Sequence, residues 1–525
     1  MLAIPAVTGR APSQVGGGFV VRRFSVFAVC AWGLGCSCTS NSGSSSSAGK
    51  GAGSGGTTRE GGSVVMGGDL AAGGTSNAGG NVPAAGTIAT GGTNGGTPAI
   101  GGTGNAAAGG ANGGTPATGG TSIADGGTPP AATCAAACTG SPTRPLLTDA
   151  SAACFTIQNY LAQAGTLGAL VRDDWDPSGG LPAASTYAPS YTVAADGSGT
   201  HTTVQAAITE ANGSGSKTRV FILVKPGTYR ELVCVKGSVP ITLYGADTDA
   251  TKVTIAFDNY NAKPVDPAKT NACSVPSAAA TSYGTGGSST FFSSSPGFQA
   301  QNLTIANDFA EGSLTSGIQA VALTVQGDQQ VFQNVRLIGN QDTLQVKSSS
   351  TSLVARSYFK DSYIEGDTDF IFGRGTAVFD GCTITYVSGR KTDSTHISPS
   401  TEAANIFGLL IVNSKIVGDS GMPIGTAYLG RAWDDSSGTA PNGQAVIRNT
   451  EIAGHIKIAA PWTSAATSNR PFSASGNRLY EYQNTGVGSA SAALDGGGSA
   501  DAPAAEDARA ITEGGQPDAG ASADR

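Results

Sequence analysis

Histidine is almost missing: the 525 residues include three, His201, His396 and His455, far apart in the chain. That leaves no cluster of imidazoles for a zinc site and no helical His-Glu-x-x-His pattern. Charge is also thin, at 13% of residues, with 30 Lys and Arg against 37 Asp and Glu and a net charge of −7. Without a basic tract there is no surface built to neutralise a phosphate backbone, so nucleic acid is not an expected partner. Aromatics are scarce at 6%, too few for a chain folded along its whole length. No apolar run reaches the roughly 20 residues that span a bilayer. No metal or organic cofactor is expected, and any catalysis falls to carboxylates.

Glycine is in excess, with 78 residues, about twice its ordinary share of roughly 7%. The excess is concentrated in one place. Residues 37–133 are Gly, Ser, Thr, Ala and Asn with recurring units such as Gly101-Gly102-Thr103 and Gly113-Gly114-Thr115; with so little apolar surface to offset ordering entropy, this stretch reads as a disordered linker. Ahead of it, Arg22-Arg23 and the short apolar run Phe24 to Trp32 read as a signal peptide ending at residue 36. Gly33-Leu34-Gly35-Cys36 resembles a lipoprotein processing box, with its leucine two rather than three residues before the cysteine. Export is the expectation, by ordinary secretion or with a lipid on Cys36 holding the protein at the cell surface or outer membrane. Residues 489–525 read as a disordered acidic tail. The foldable part is 134–488, ample for a large core, and it is expected to work as a monomer.

One helix is expected near its start, where Phe155, Ile157, Tyr160, Leu161, Ala164 and Leu167 fall near a 3.6-residue period. Beyond it a repeat appears. Phe332, Phe359, Ile411 and Ile447 are followed five residues later by Leu337, Ile364, Ile416 and Ile452, and seven later by Gly339, Gly366, Gly418 and Gly454. Phe298 with Leu303, and Phe379 with Ile384, join without the glycine. Successive anchors lie 34, 27, 20, 32 and 36 residues apart, too irregular for helical or leucine-rich repeats but suited to strand coils with variable loops. The spacing predicts an all-β, right-handed parallel β-helix. A β-sandwich would need regular hairpin turns, and Asp380-Gly381 and Asn442-Gly443 do not supply them.

In that register Asp342 and Asp369 both lie ten residues after an anchor, so they fall on neighbouring coils. Two carboxylates about 5 Å apart cannot comfortably both ionise, and a site obtains one acid and one nucleophile that way. Register alone also nominates Asp308, ten after Phe298.

The local sequences single out the other two. Gly317-Ile318-Gln319-Ala320-Val321-Ala322-Leu323, Gly339-Asn340-Gln341-Asp342-Thr343-Leu344, Gly366-Asp367-Thr368-Asp369-Phe370-Ile371-Phe372-Gly373 and Tyr428-Leu429-Gly430-Arg431-Ala432-Trp433 resemble the signatures of pectinesterases, in the family's order. Supporting matches run from Val193–Gly199 through Pro226–Glu231 to Tyr480-Glu481-Tyr482, so the resemblance covers about Tyr191 to Gly488. It implies the same β-helix fold and hydrolysis of methyl esters on pectin. It further implies Asp369 as nucleophile, Asp342 as general acid and then base, Gln341 and Gln319 as oxyanion donors, and Arg431 as the partner of the nucleophile. Trp433, Phe372 and Thr285 are implied as substrate contacts.

The chain also departs from the family. Asn340 and Gln345 replace tyrosines, Asp367-Thr368 replaces a Thr-Val, Ala432 replaces a proline, and Ser362 stands where a bacterial disulfide partner of Cys382 would be. Asp367 brings a third carboxylate within two residues of Asp369, able to raise its pKa if both point the same way. The pairing of the remaining cysteines stays open. Three rival readings share the scaffold: an acyl thioesterase on the same site, a non-catalytic carbohydrate-binding β-helix, and a calcium-dependent pectate lyase. Gly418-Asp419-Ser420-Gly421 imitates a serine-protease motif, but it sits at a coil bend with few histidines to serve it.

Overall fold

The computed structural model describes residues 136–274, 277, 279–401, 405–433, 443–464 and 477–491. The expected signal peptide, the expected lipidation site Cys36, the stretch read as a linker, Cys134 and nearly all of the stretch read as an acidic tail lie outside the described residues.

Short strands wind through three parallel sheets in a fixed order, one strand per sheet per coil. The first sheet carries Arg356–Lys360, Thr376–Asp380, Leu409–Val412 and Gln444–Arg448, each paired in parallel with the next. The second carries Tyr363–Gly366, Thr383–Tyr386 and Lys415–Gly418. The third is eight-stranded and includes Leu344–Val346, Ile371–Gly373, Thr395–Pro399 and Tyr428–Arg431. Two longer strands, Gln299–Asn307 and Gln330–Ile338, turn the corner from first to second sheet without a break. Their corner residues Asn302 and Asn334 take φ of 57° and 50°, a left-handed conformation that asparagine tolerates better than most residues. This is a parallel β-helix, wound in the right-handed sense that connections between parallel strands almost always take.

The expected ladder is the core. Phe332, Phe359, Phe379, Ile411 and Ile447 oppose one another in sequence. The three phenylalanine rings stack at 4.8 and 4.9 Å, the strand spacing itself, with interplanar angles of 12° and 15°. Each buried ring is worth about 2–3 kcal/mol by area. One anchor was misplaced: Phe332 opposes Ala300, not Phe298, and Leu337 opposes Ile305, not Leu303. Phe298 points to the same side two residues earlier and is fully buried, but its ring is tilted 57° at 6.0 Å from Phe332. The offset removes Asp308 from the series. Its carboxylate is half exposed and pairs with Arg230 at 2.7 Å.

The recurrent glycines are there for room, not for dihedral freedom. A Cβ on Gly366 would lie 2.2 Å from the Phe370 Cβ and 2.5 Å from the Asn340 carbonyl, closer than neighbouring atoms can approach.

The predicted helix is shorter than its pattern. It spans Ile157–Ala162, and Gln163–Thr166 and Ala169–Arg172 then form a hairpin whose Gly165 and Gly168 have φ near 90°. Ala164 and Leu167 therefore belong to the hairpin, and Leu167 is exposed. A second helix, Val204–Gly213, lacked a marked apolar stripe. It packs Val204, Ala207, Ile208 and Ala211 into the core, and Glu231 accepts from the Val204 and Gln205 amides at its start, both at 2.8 Å.

The opening segment covers the outside of the first sheet, packing Phe155, Tyr160 and Leu161 on Val331, Tyr358, Val378 and Val446. Its strand Arg144–Leu147 lies beside the last strand, Arg478–Tyr482. There the buried Arg144 donates to Glu481 at 2.9 and 2.8 Å. Cys234 and Cys273 form a disulfide, tying the loop that carries Thr285 to the third sheet. Cys382 has no such partner; its thiol is buried and pushed up to about 12 by desolvation.

Candidate active site

The expected carboxylates meet where the chain turns from the second sheet into the third. Gln341 bridges to Thr368, placing Asp342 and Asp369 on successive coils. Their backbones are joined in the stack: the Asp342 amide donates to the Thr368 carbonyl at 3.0 Å, and the Asp369 amide to the Thr395 carbonyl at 2.8 Å. Both aspartates have positive φ, 68° and 45°. The residues that follow, Thr343 and Phe370, are completely buried, so each turn sends one side chain inward just after its aspartate.

The two carboxylates have different surroundings. Asp369 receives Arg431 Nε on Oδ1 at 3.1 Å and Arg431 Nη2 on Oδ2, a two-pronged charge-assisted contact. Thr395 Oγ1 also donates to its Oδ1. Asp342 is buried, and burial, followed by the neighbouring Asp369 charge, holds its carboxyl well above the usual range, with Arg431 pulling the other way. Burial and the neighbouring charge thus favour the protonated form of Asp342, while Asp369 is the one braced by a cation.

Gln319 lies one coil earlier, where the Ala320 amide donates to the Gln341 carbonyl at 3.1 Å. Its buried side-chain oxygen has no hydrogen-bond partner among the described residues. Thr285 accepts from Asn261 Nδ2 at 2.7 Å, and the Asn261 amide donates to the Gln319 carbonyl at 2.8 Å, so the loop bearing Thr285 is attached to this end of the site. Phe372 follows Asp369 into the third sheet, between Gln345 and Ser398 on the strands either side. Its ring meets Trp433 edge-on, centroids 5.8 Å apart. The eight residues singled out as chemical or substrate-contacting thus fall on one stretch of consecutive coils.

No sequence motif marks Thr395, Arg390 or Glu311. Thr395 occupies the position after Asp369 in the coil series, and the match of Ile371 with Ile397 would have revealed it. Asp367 does not stand loose beside Asp369. It is fully buried against Arg390, whose Nε donates at 2.8 Å and which also pairs with the buried Glu311 at 2.6 Å. The Asp419 carboxylate of the protease-like motif accepts from the Ser388 and Gly421 amides and caps a bend.

Beneath Thr395, His396 and His455 share a buried contact at 3.1 Å, with His396 also against the Tyr428 carbonyl at 2.8 Å. Burial lowers His396 to about 3 and His455 to about 4. Both are neutral in the fold, whereas an unfolded histidine titrates near 6.5. The stability they contribute is complete above about pH 6.5 and is lost as pH falls through that value toward 4. The expected slope is about 1.4 kcal/mol per histidine per pH unit. Urea midpoints measured from pH 7.5 to 4.5 should fall steeply, and less steeply in a His396→Gln, His455→Gln double variant. Equal slopes would mean that the pair does not control this window.

The comparisons with known proteins agree with this geometry. The sequence model of the family described as Pectinesterase matches residues 190–494. A pectinesterase of Ralstonia nicotianae is 46% identical over 373 residues, covering 68% of this chain and 94% of that protein. A protein of Escherichia coli K12 named putative acyl-CoA thioester hydrolase YbhC is 34% identical, covering 67% and 90%; the crystal structure of E. coli YbhC superposes with a TM-score of 0.58 at 32% identity, over 66% of this chain and 96% of its own. Rice weevil pectin methyl esterase superposes with a TM-score of 0.56 at 31% identity, over 67% and 99%. With the coil register, the paired aspartates and the sequence match all in agreement, this chain belongs to the pectinesterase family.

Proposed function

We propose that the protein is a carboxylic-ester hydrolase that removes methyl groups from methyl-esterified galacturonan, giving methanol and pectate. The observation that carries this reading is the contrast between two neighbouring carboxylates, one buried and pushed toward its protonated form, the other paired with Arg431. Asp369 attacks the ester carbonyl, and the developing oxyanion takes hydrogen bonds from the Gln341 and Gln319 amides. Collapse breaks the bond to the methoxy group, which leaves as methanol with the proton of Asp342. The Asp342 carboxylate then takes a proton from water, the resulting hydroxide attacks the acyl carbon, and Asp369 is released. Arg431 and Thr395 orient the nucleophile, while Trp433, Phe372 and Thr285 contact the sugar chain. No step calls for a metal or cofactor.

On the same reading the enzyme works outside the cell, either secreted or held by a lipid on Cys36, with 37–133 as tether and 134–488 as the catalytic unit. The Cys234–Cys273 disulfide suits an oxidising compartment. Mass measurement of the mature N-terminus distinguishes the two forms.

The E. coli relative's name supports a second reading, an acyl thioesterase on the same site. Methanol release from highly methylated pectin by the full chain, run beside hydrolysis of an acyl-CoA, separates them. Methanol without thioester cleavage is the expected result. Thioester cleavage alone would replace pectin as substrate, and polysaccharide binding without turnover would mark a binding module.

A further inference from the structure

Asp367 departs from the family pattern, and the fold surrounds it with partners that the proposed mechanism does not use. Arg390, from the segment between the strands Thr383–Tyr386 and Thr395–Pro399, reaches back across the stack. Its Nε donates to Asp367 Oδ2 at 2.8 Å and its Nη2 to Asp367 Oδ1 and, at 3.2 Å, to Thr368 Oγ1. The same Nε lies 2.6 Å from Glu311 Oε2, and Glu311 Oε1 accepts from the Gln341 amide at 3.4 Å. Glu311 and Asp367 are buried at 2% and 0% side-chain exposure. One cation thus holds two buried carboxylates from two other coils. One contact reaches the residue before Asp342, and another the residue before Asp369.

We infer that Arg390, Asp367 and Glu311 are positioning residues, a three-coil brace that fixes the Gln341-Asp342 turn against the Thr368-Asp369 turn and sets the electrostatic field at Asp342. The inference rests on the esterase reading above. The charged groups facing Asp342 are Asp369, Arg431, Glu311 and Asp367; those facing Glu311 are Arg390 and Asp367, and Arg390 also faces Tyr386. Burial raises Glu311 to about 7, with Arg390 opposing and Asp367 adding to the rise. Glu311 and Asp367 both favour the protonated form of Asp342.

The brace therefore has a sign. Removing a negative member should make Asp342 give up its proton sooner, so the alkaline limb of kcat/KM moves to lower pH. Removing Arg390 leaves the two carboxylates unbalanced and moves that limb to higher pH. The experiment is the pH–rate profile of methanol release for the full chain and for Asp367→Asn, Glu311→Gln, Arg390→Gln and the Asp367→Asn, Arg390→Gln pair, each checked for a cooperative melt. The expected result is an alkaline limb lowered by about one pH unit in the first two, raised in the third and nearly restored in the pair. Rates that fall while the limb stays in place in all variants would reduce the cluster to a structural support and overturn the inference. If Arg390→Gln does not fold, the Asp367→Asn and Glu311→Gln profiles decide. An unaltered protein that releases no methanol would instead defeat the esterase reading, a distinct outcome.

Discussion

Asp369→Ala is expected to lower methanol release from methylated pectin by on the order of 10⁴-fold or more, with the fold intact. The carboxylate is the group that bonds to the substrate in the proposed path, and nothing nearby replaces it. Burial pushes Asp342 toward its protonated form, and Asp367 is committed to Arg390. Asp369 lies in a turn and fills no core position, so alanine removes a nucleophile without opening a cavity. The cost is small: Arg431 loses an acceptor but keeps access to water, its side chain being 23% exposed, the buried Thr395 loses an acceptor, and alanine takes the φ of 45° less readily than aspartate. A thermal melt with methanol assays on the same preparation checks the result. Retention of more than about one part in a hundred of the activity would move the nucleophile elsewhere, because single-group losses at a covalent step are ordinarily far larger.

Asp342→Ala should cost about 10² to 10⁴-fold on the methyl ester, and its signature is in the leaving group. Methoxide is a poor leaving group without a proton, whereas p-nitrophenolate leaves unaided. On a galacturonan carrying p-nitrophenyl esters, the variant should therefore release close to one equivalent of p-nitrophenol in a burst and then stall, because the second half-reaction still needs a base to activate water. Asp369→Ala should show no burst on either ester. Equal losses on methyl and p-nitrophenyl esters, with no burst, would show that Asp342 does not donate the proton.

The β-helix could be read from the sequence because its core is a ladder of like residues: Phe332, Phe359 and Phe379 recur at spacings set by the coil, and their rings stack at the strand distance. The same logic fails at Phe298, where a large ring just ahead of the strand and the small Ala300 within it exchange places, and only backbone pairing reveals the offset. Helix Val204–Gly213 was missed for a related reason. Its buried residues are small or β-branched, and although Thr203 caps its start by accepting from the Ala206 amide, the first two amides are held by Glu231, 27 positions away from Val204. Within the site, the motifs lead to the residues that the resemblance implies as chemical or substrate-contacting. Arg390 has no motif: it stands beside Lys391 in a polar loop, and its place becomes evident only once Asp367 is known to be buried and in need of a counter-charge.

The contact of Arg144–Leu147 with Arg478–Tyr482 has a consequence for how the chain is made. Arg144 and Glu481 are 337 residues apart, so nearly every coil is synthesised before the strand that completes the far end can be paired. Coils can add one by one with short loop closures, each resting on the last. The final edge stays open until Tyr482 emerges, and it is then covered by one of the first segments produced. Open edges recruit other chains. A truncation that removes Arg144–Leu147 would therefore be felt less in the chemistry than in solubility, with growing chains joining end to end through the unprotected strand at Arg478–Tyr482.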